Sequence, residues 1–115
     1  MVVKAANRKK LPLGDAQLNA IAELFAVLSE PSRLRILQVL QDGAASVGEI
    51  IEATQMKQAN VSKQLGILHQ AGVLSRERDG NLVRYSIRMP LIFDLCDLVC
   101  ASLREEARMK AQLFR

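Results

Sequence analysis

Apolar residues recur at helical spacing in five stretches of this chain, and two short strand-like runs separate the fourth from the fifth. Leu18, Ile21, Ala22, Phe25 and Leu28 line one side of a first helix, which Asp15 caps and which ends near Ser29. Pro31 opens a second helix that turns Leu34, Ile36, Leu37, Val39 and Leu40 inward and stops at Asp42-Gly43. Arg33 and Arg35 fall on its wetter face. A short third helix covers Ser46 to Thr54, Gln55-Met56 breaks the chain, and a fourth helix runs from Gln58 to Ala71. Val47, Ile50, Ile51, Val61, Leu65 and Leu68 give this pair its share of the core.

Gly72-Val73-Leu74 then leads into a strand, and Asp79-Gly80-Asn81 marks the turn of a hairpin, Asp-Gly between such runs being a strong hairpin signal. Val73, Leu74, Leu82, Val83, Tyr85 and Ile87 are its apolar positions. After Pro90 a long helix extends from about Leu91 to Leu113, with Ile92, Leu95, Cys96, Val99 and Leu103 on one stripe and Leu91, Leu98 and Ser102 beside it. This order predicts a mainly α fold with a β wing, a winged helix-turn-helix of four helices, two strands and a fifth helix. The first and last helices carry more apolar surface than so small a domain can cover. The expected remedy is a two-fold dimer built on Leu18, Ile21, Phe25, Ile92, Leu95, Val99 and Leu103.

The chain has 115 residues, room for one domain, here placed at 15–113 behind a flexible basic arm at 1–14. Its net charge of +4 is unevenly spread. Residues 55–88 hold six Lys or Arg against Glu77 and Asp79, and the first ten residues hold Lys4, Arg8, Lys9 and Lys10 with no acid. The arm is either a solvated terminus or a segment that seeks phosphate or the minor groove. No apolar run approaches a membrane span or a signal peptide, so a cytoplasmic protein with reduced cysteines is expected.

A helix-turn-helix presents its second helix to the major groove. On that helix Gln58, Asn60, Ser62, Lys63 and Gln64 are polar and are read as facing outward, with Lys57 just before it in place of a good capping residue. Gln and Asn can match an adenine edge, Ser a base or phosphate, and Lys guanine or phosphate. Arg76, Arg78, Arg84 and Arg88 of the hairpin add cations for the backbone or a narrow minor groove. The expected partner is double-stranded DNA carrying a palindromic operator. No paired carboxylates, nucleophile triad or phosphate-cradling loop points to an enzyme. The alternative from another class is a winged helix that has lost DNA and binds protein.

Three passages resemble the ArsR/SmtB family of bacterial repressors: Leu28-Ser-Glu-Pro-Ser-Arg-Leu-Arg-Ile-Leu37, Asn60-Val-Ser-Lys-Gln-Leu-Gly-Ile-Leu-His-Gln-Ala-Gly-Val-Leu74, and Gly80 to Ile87. The likeness extends from about Leu18 to Leu113. It implies a homodimeric repressor released from its operator by an inducer, which the sequence does not identify. The family's metal sites are lacking. Where its thiolate pair would stand, the helix reads Val47-Gly-Glu-Ile-Ile-Glu52, and the positions of the other site hold Met89, Leu91, Ser102 and Glu105. His69 is the single histidine, too few for a zinc site, so neither metal nor other cofactor is expected. Cys96 and Cys100 sit four apart on one face of the last helix. They are either small apolar contacts at the dimer interface or a thiol sensor responsive to oxidant, reactive sulfur or a soft metal ion.

Overall fold

A computed structural model describes residues 13–114; the basic positions Lys4, Arg8, Lys9 and Lys10 lie outside that range. The elements are α1 (Asp15–Val27), α2 (Pro31–Leu40), β1 (Ala45–Ser46), α3 (Val47–Thr54), α4 (Gln58–Gln70), β2 (Leu74–Asp79), β3 (Leu82–Ile87) and α5 (Leu91–Leu113). They fall into two units, Leu13–Met89 and, from Pro90 onward, α5.

Ile36, Leu37 and Leu40 of α2, Ile50 of α3, Val61, Leu65 and Leu68 of α4, and Val73, Leu74 and Tyr85 of the ribbon form the core of the first unit. Each fully buried aliphatic side chain contributes about 1.5–3 kcal/mol. Of the other expected members, Val39, Val47, Ile51, Val83 and Ile87 are only partly buried, and two are exposed. Leu34 is exposed because it lies on the solvent side of α2, and Leu82 because it begins β3 at the hairpin tip, beyond the helices. α1 contributes no buried residue at all. Its start also differs from expectation: Gly14 is the capping position and Asp15 the first helical residue, where its charge opposes the helix dipole without a cap hydrogen bond.

The helix-turn-helix break depends on Gln55, which takes the left-handed conformation at φ 59° while its N–H still reaches the Ile51 carbonyl. Thr54 closes the turn by donating to the Ile50 carbonyl (2.7 Å) and accepting from the Met56 amide (3.3 Å). At the other end of α4, Gly72 adopts φ 80° and the Val73 amide returns to the Leu68 carbonyl at 3.0 Å, which aims the chain into β2.

β2 and β3 pair antiparallel from Leu74↔Ile87 to Asp79↔Leu82. Gly80-Asn81 is therefore the two-residue loop, with positive φ at Gly80 alone, the pattern of a type II′ turn rather than the Asp-Gly type I′ turn. A third strand, β1, pairs with β3 through Ala45↔Tyr85 and Ser46↔Arg84. Ser46 then caps α3. Its hydroxyl accepts from the Glu49 amide (3.2 Å), and Glu49 accepts from the Ser46 amide (3.0 Å).

The Ser46 backbone and hydroxyl, with the nearby Arg84 charge, outweigh slight desolvation and hold the Glu49 carboxyl below its ordinary value. A carboxyl depressed in the fold adds stability above its unfolded value, and that stability is lost as pH falls through the folded value. Thermal midpoints of wild type and Glu49→Gln measured across the acid range should therefore converge as pH falls. A constant gap would mean that the charge on Glu49 contributes nothing.

The second unit is one helix. Pro90 precedes α5, Ile92 is buried, and Phe93 and Leu95 are partly so. From Cys96 to Phe114 every residue but Glu105 is exposed, including Leu98, Val99, Leu103, Met109 and Leu113. Ile92 is thus unavailable to a subunit contact, contrary to expectation, because its side chain is already fully buried in one copy. Glu105 pairs with Arg108 and Glu106 with Lys110 along the exposed surface.

Candidate nucleic-acid interface

Val61, Leu65 and Leu68 hold α4 in the core, so the helix must show its remaining faces outward. Gln58, Asn60, Ser62 and Lys63 are all exposed, and Lys57 stands exposed at the capping position. No side chain caps this end. The first return bond is from the Val61 amide to the Lys57 carbonyl, leaving the amides before it open at the positive end of the helix dipole. Such an end suits a phosphate.

Gln64 does not belong with these residues. It is 5 % exposed, its Oε1 accepts from Arg33 Nε (2.8 Å), and its Nε2 donates to Asn60 Oδ1 (2.9 Å). At four residues after Asn60 and one before Leu65 it shares the inward stripe, so its expected outward role is corrected. Arg33 is likewise no wet-face cation. It is partly buried, and its Nη1 also donates to the Val27 (3.1 Å) and Ala26 (3.4 Å) carbonyls at the end of α1.

The ribbon sorts its arginines by face. Arg84 lies opposite Glu77, on the face shared with Asp79, and its guanidinium meets Glu49 of α3 at 3.0 Å and Asp79 at 3.5 Å. It pins the ribbon to the start of α3 and is only partly free for another anion. Arg76 and Arg78 lie on the other face, opposite Tyr85 and Val83, exposed and with no acidic partner among the described residues. Arg88 is exposed just beyond β3.

The cation-bearing surface is therefore the outer face of α4 with Arg76 and Arg78. Residues 57–70 contain no acid, so nothing there repels a polyanion. Cys96 and Cys100 are both free and exposed. His69 is partly buried, and no group of three or more His, Cys, Asp or Glu gathers among the described residues. No described helix is long and apolar enough to cross a membrane.

Sequence reasoning missed Arg33, β1 and the Ser46–Glu49 box. Of these only the box has a local signal, the Ser-x-x-Glu spacing.

Known proteins share this fold. The solved structure of the AntR antimony-specific transcriptional repressor superposes with TM-score 0.77 at 28% identity, covering 94% of this chain and 98% of that one. The homodimeric winged helix-turn-helix domain of Mb0332 from Mycobacterium bovis matches with TM-score 0.69 at 28% identity, over 84% of this chain and 92% of that domain. In sequence, the HTH-type transcriptional regulator Rv0081 of Mycobacterium tuberculosis is 39% identical over 89 residues, which are 76% of this chain and 75% of that protein. The sequence profile for bacterial regulatory proteins of the arsR family matches residues 30–76, from the start of α2 through α4 into the wing. With the winged fold on which that profile falls, and a relative this similar over most of both chains, the chain belongs to the arsR family of bacterial regulatory proteins.

Proposed function

We propose that the chain is a DNA-binding transcriptional repressor that acts as a homodimer on a palindromic operator. α4 enters the major groove with Lys57, Gln58, Asn60, Ser62 and Lys63, while Arg76 and Arg78 reach the backbone beside it. The observation that carries this reading is the acid-free outer face of α4, with an uncapped N-terminus and unpaired cations on the adjoining ribbon. A protein-docking module would have no need of such a surface.

Dimerisation is supported by the two helices that one copy leaves bare. α1 is 13 residues long without a buried side chain, which is marginal for a helix alone in water. α5 exposes Leu98, Val99 and Leu103. Contacts with a second copy across a two-fold axis would cover each of them, and Mb0332 is homodimeric. Cys96 and Cys100, exposed and one turn apart on α5, give the repressor a thiol through which an oxidant or thiophilic metal can act.

Titration of the reduced protein against its own upstream DNA tests the proposal. Affinity should fall with salt along a log–log slope of about −0.9 per phosphate neutralised. Lys63→Glu should flatten that slope, whereas Gln58→Ala should leave it unchanged and relax base preference by roughly 1–3 kcal/mol. Salt-insensitive or absent binding returns the chain to the protein-docking reading. Repeating the titration after peroxide with the double variant Cys96→Ser/Cys100→Ser decides the thiol role: release in wild type alone supports it, and equal behaviour ends it.

A further inference from the structure

Arg33, Gln64 and Asn60 form a row of hydrogen bonds that runs from the end of α1 to the outer face of α4. Arginine has donors only, so Gln64 must turn Oε1 toward Arg33 and its NH2 group toward Asn60. Asn60 in turn must present Oδ1 to Gln64. Among the described residues no acceptor takes the Asn60 Nδ2 hydrogens, and Asn60 itself is exposed. The orientation of an amide on the reading face is thus set by a partly buried arginine on another helix.

We propose that Arg33 and Gln64 are positioning residues for DNA reading, fixing the Asn60 amide with its NH2 outward so that Asn60 donates to a hydrogen-bond acceptor on the duplex. This rests on the reading that α4 faces DNA. Two-point recognition of adenine needs an asparagine to turn both Oδ1 and Nδ2 to the base edge. Here Oδ1 is held by Gln64, and the matching chemistry becomes an acceptor: purine N7, guanine O6, thymine O4 or a phosphate oxygen. Where that acceptor lies on a base, sequence preference at one base pair of each half-site is governed by two side chains that touch no nucleotide.

Gln64→Glu tests the relay without emptying the site. The carboxylate still accepts from Arg33 but has no hydrogen for Asn60, so the Asn60 amide should turn its NH2 inward and its Oδ1 to the groove. Wild type, Gln64→Glu, Asn60→Ala and the double variant would each select from a pool of random-sequence DNA duplexes, with thermal unfolding as the check on folding. For a base contact, Gln64→Glu should shift one base pair per half-site toward adenine or cytosine, whose exocyclic amines donate. Each protein should prefer its own site by about three- to tenfold. For a phosphate contact, Gln64→Glu should lose a similar factor on every sequence and keep its base preference. In either case the exchange at 64 should have no further effect once Asn60 is alanine.

Arg33→Lys keeps the charge but lacks the Nε donor, so it should broaden preference at the same base pair. In the free protein the Asn60 side-chain NH2 resonances should shift on Gln64→Glu, as a new acceptor takes them. A Gln64→Glu protein that selects and binds like wild type overturns the relay, as does an effect that persists in full in the Asn60→Ala background. A wild-type chain that selects nothing from the pool overturns the α4–DNA reading itself, and with it any role for the relay in reading.

Discussion

Phe25→Asp is expected to yield a monomer with little operator affinity. Phe25 is 53 % exposed on α1, so in a single copy the new carboxylate stays in water and the core is untouched. In the proposed dimer it is buried against an apolar partner surface, where an unpaired charge is strongly disfavoured. Sedimentation at micromolar concentration should report one chain. Operator affinity should fall by roughly 10²–10⁴, the advantage lost when two linked half-site contacts become independent. α1 should lose helicity in the same variant, because none of its side chains is fully buried in one copy. A dimer that survives Phe25→Asp would move the interface off α1.

Leu65→Ala is expected to be a severely damaging truncation in the reading helix. Leu65 is fully buried beneath α4, and removing so much of a packed side chain costs roughly 2–5 kcal/mol. Domains of this size have about 5–15 kcal/mol in all, and each kilocalorie lost lowers the melting midpoint by roughly 4–8 °C. Leu82→Ala is the control. The side chain is of the same type, but it is half exposed at the wing tip, and its loss should stay near 0.5 kcal/mol. Similar losses in calorimetry at both positions would contradict the placement of the core.

Periodicity located the helices because their apolar residues recur on one side, whether that side enters the core, as in α2 and α4, or stays largely exposed in one copy, as in α1 and in α5, which spans the expected Leu91–Leu113. The same reasoning failed where position along an element, rather than residue type, decides burial. Leu34 and Leu82 are apolar yet exposed, whereas Gln64 is polar yet buried. Gln64 is buried at tolerable cost because Arg33 and Asn60 satisfy both ends of its amide, a compensation 31 residues away along the chain in the case of Arg33. Nothing local announces it. β1 escaped for a different reason, since two residues are too few to show alternation. The exposed members of the α4 site were legible because a helix fixed by Val61, Leu65 and Leu68 leaves its neighbours little choice. Which wing arginines remain free was not legible, because it depends on strand register: Arg84 falls beside Asp79 and within reach of Glu49, while Arg76 and Arg78 fall on the other face.

Ser46 completes a strand, caps a helix and, through Glu49, holds the arginine that fastens the wing. These demands leave the position little evolutionary freedom, since it needs extended backbone, a short acceptor and almost no bulk. A genetic search for loss of repression would accordingly single out position 46 beside the proposed contact residues, although its hydroxyl is turned to the start of α3 and not to the proposed DNA surface.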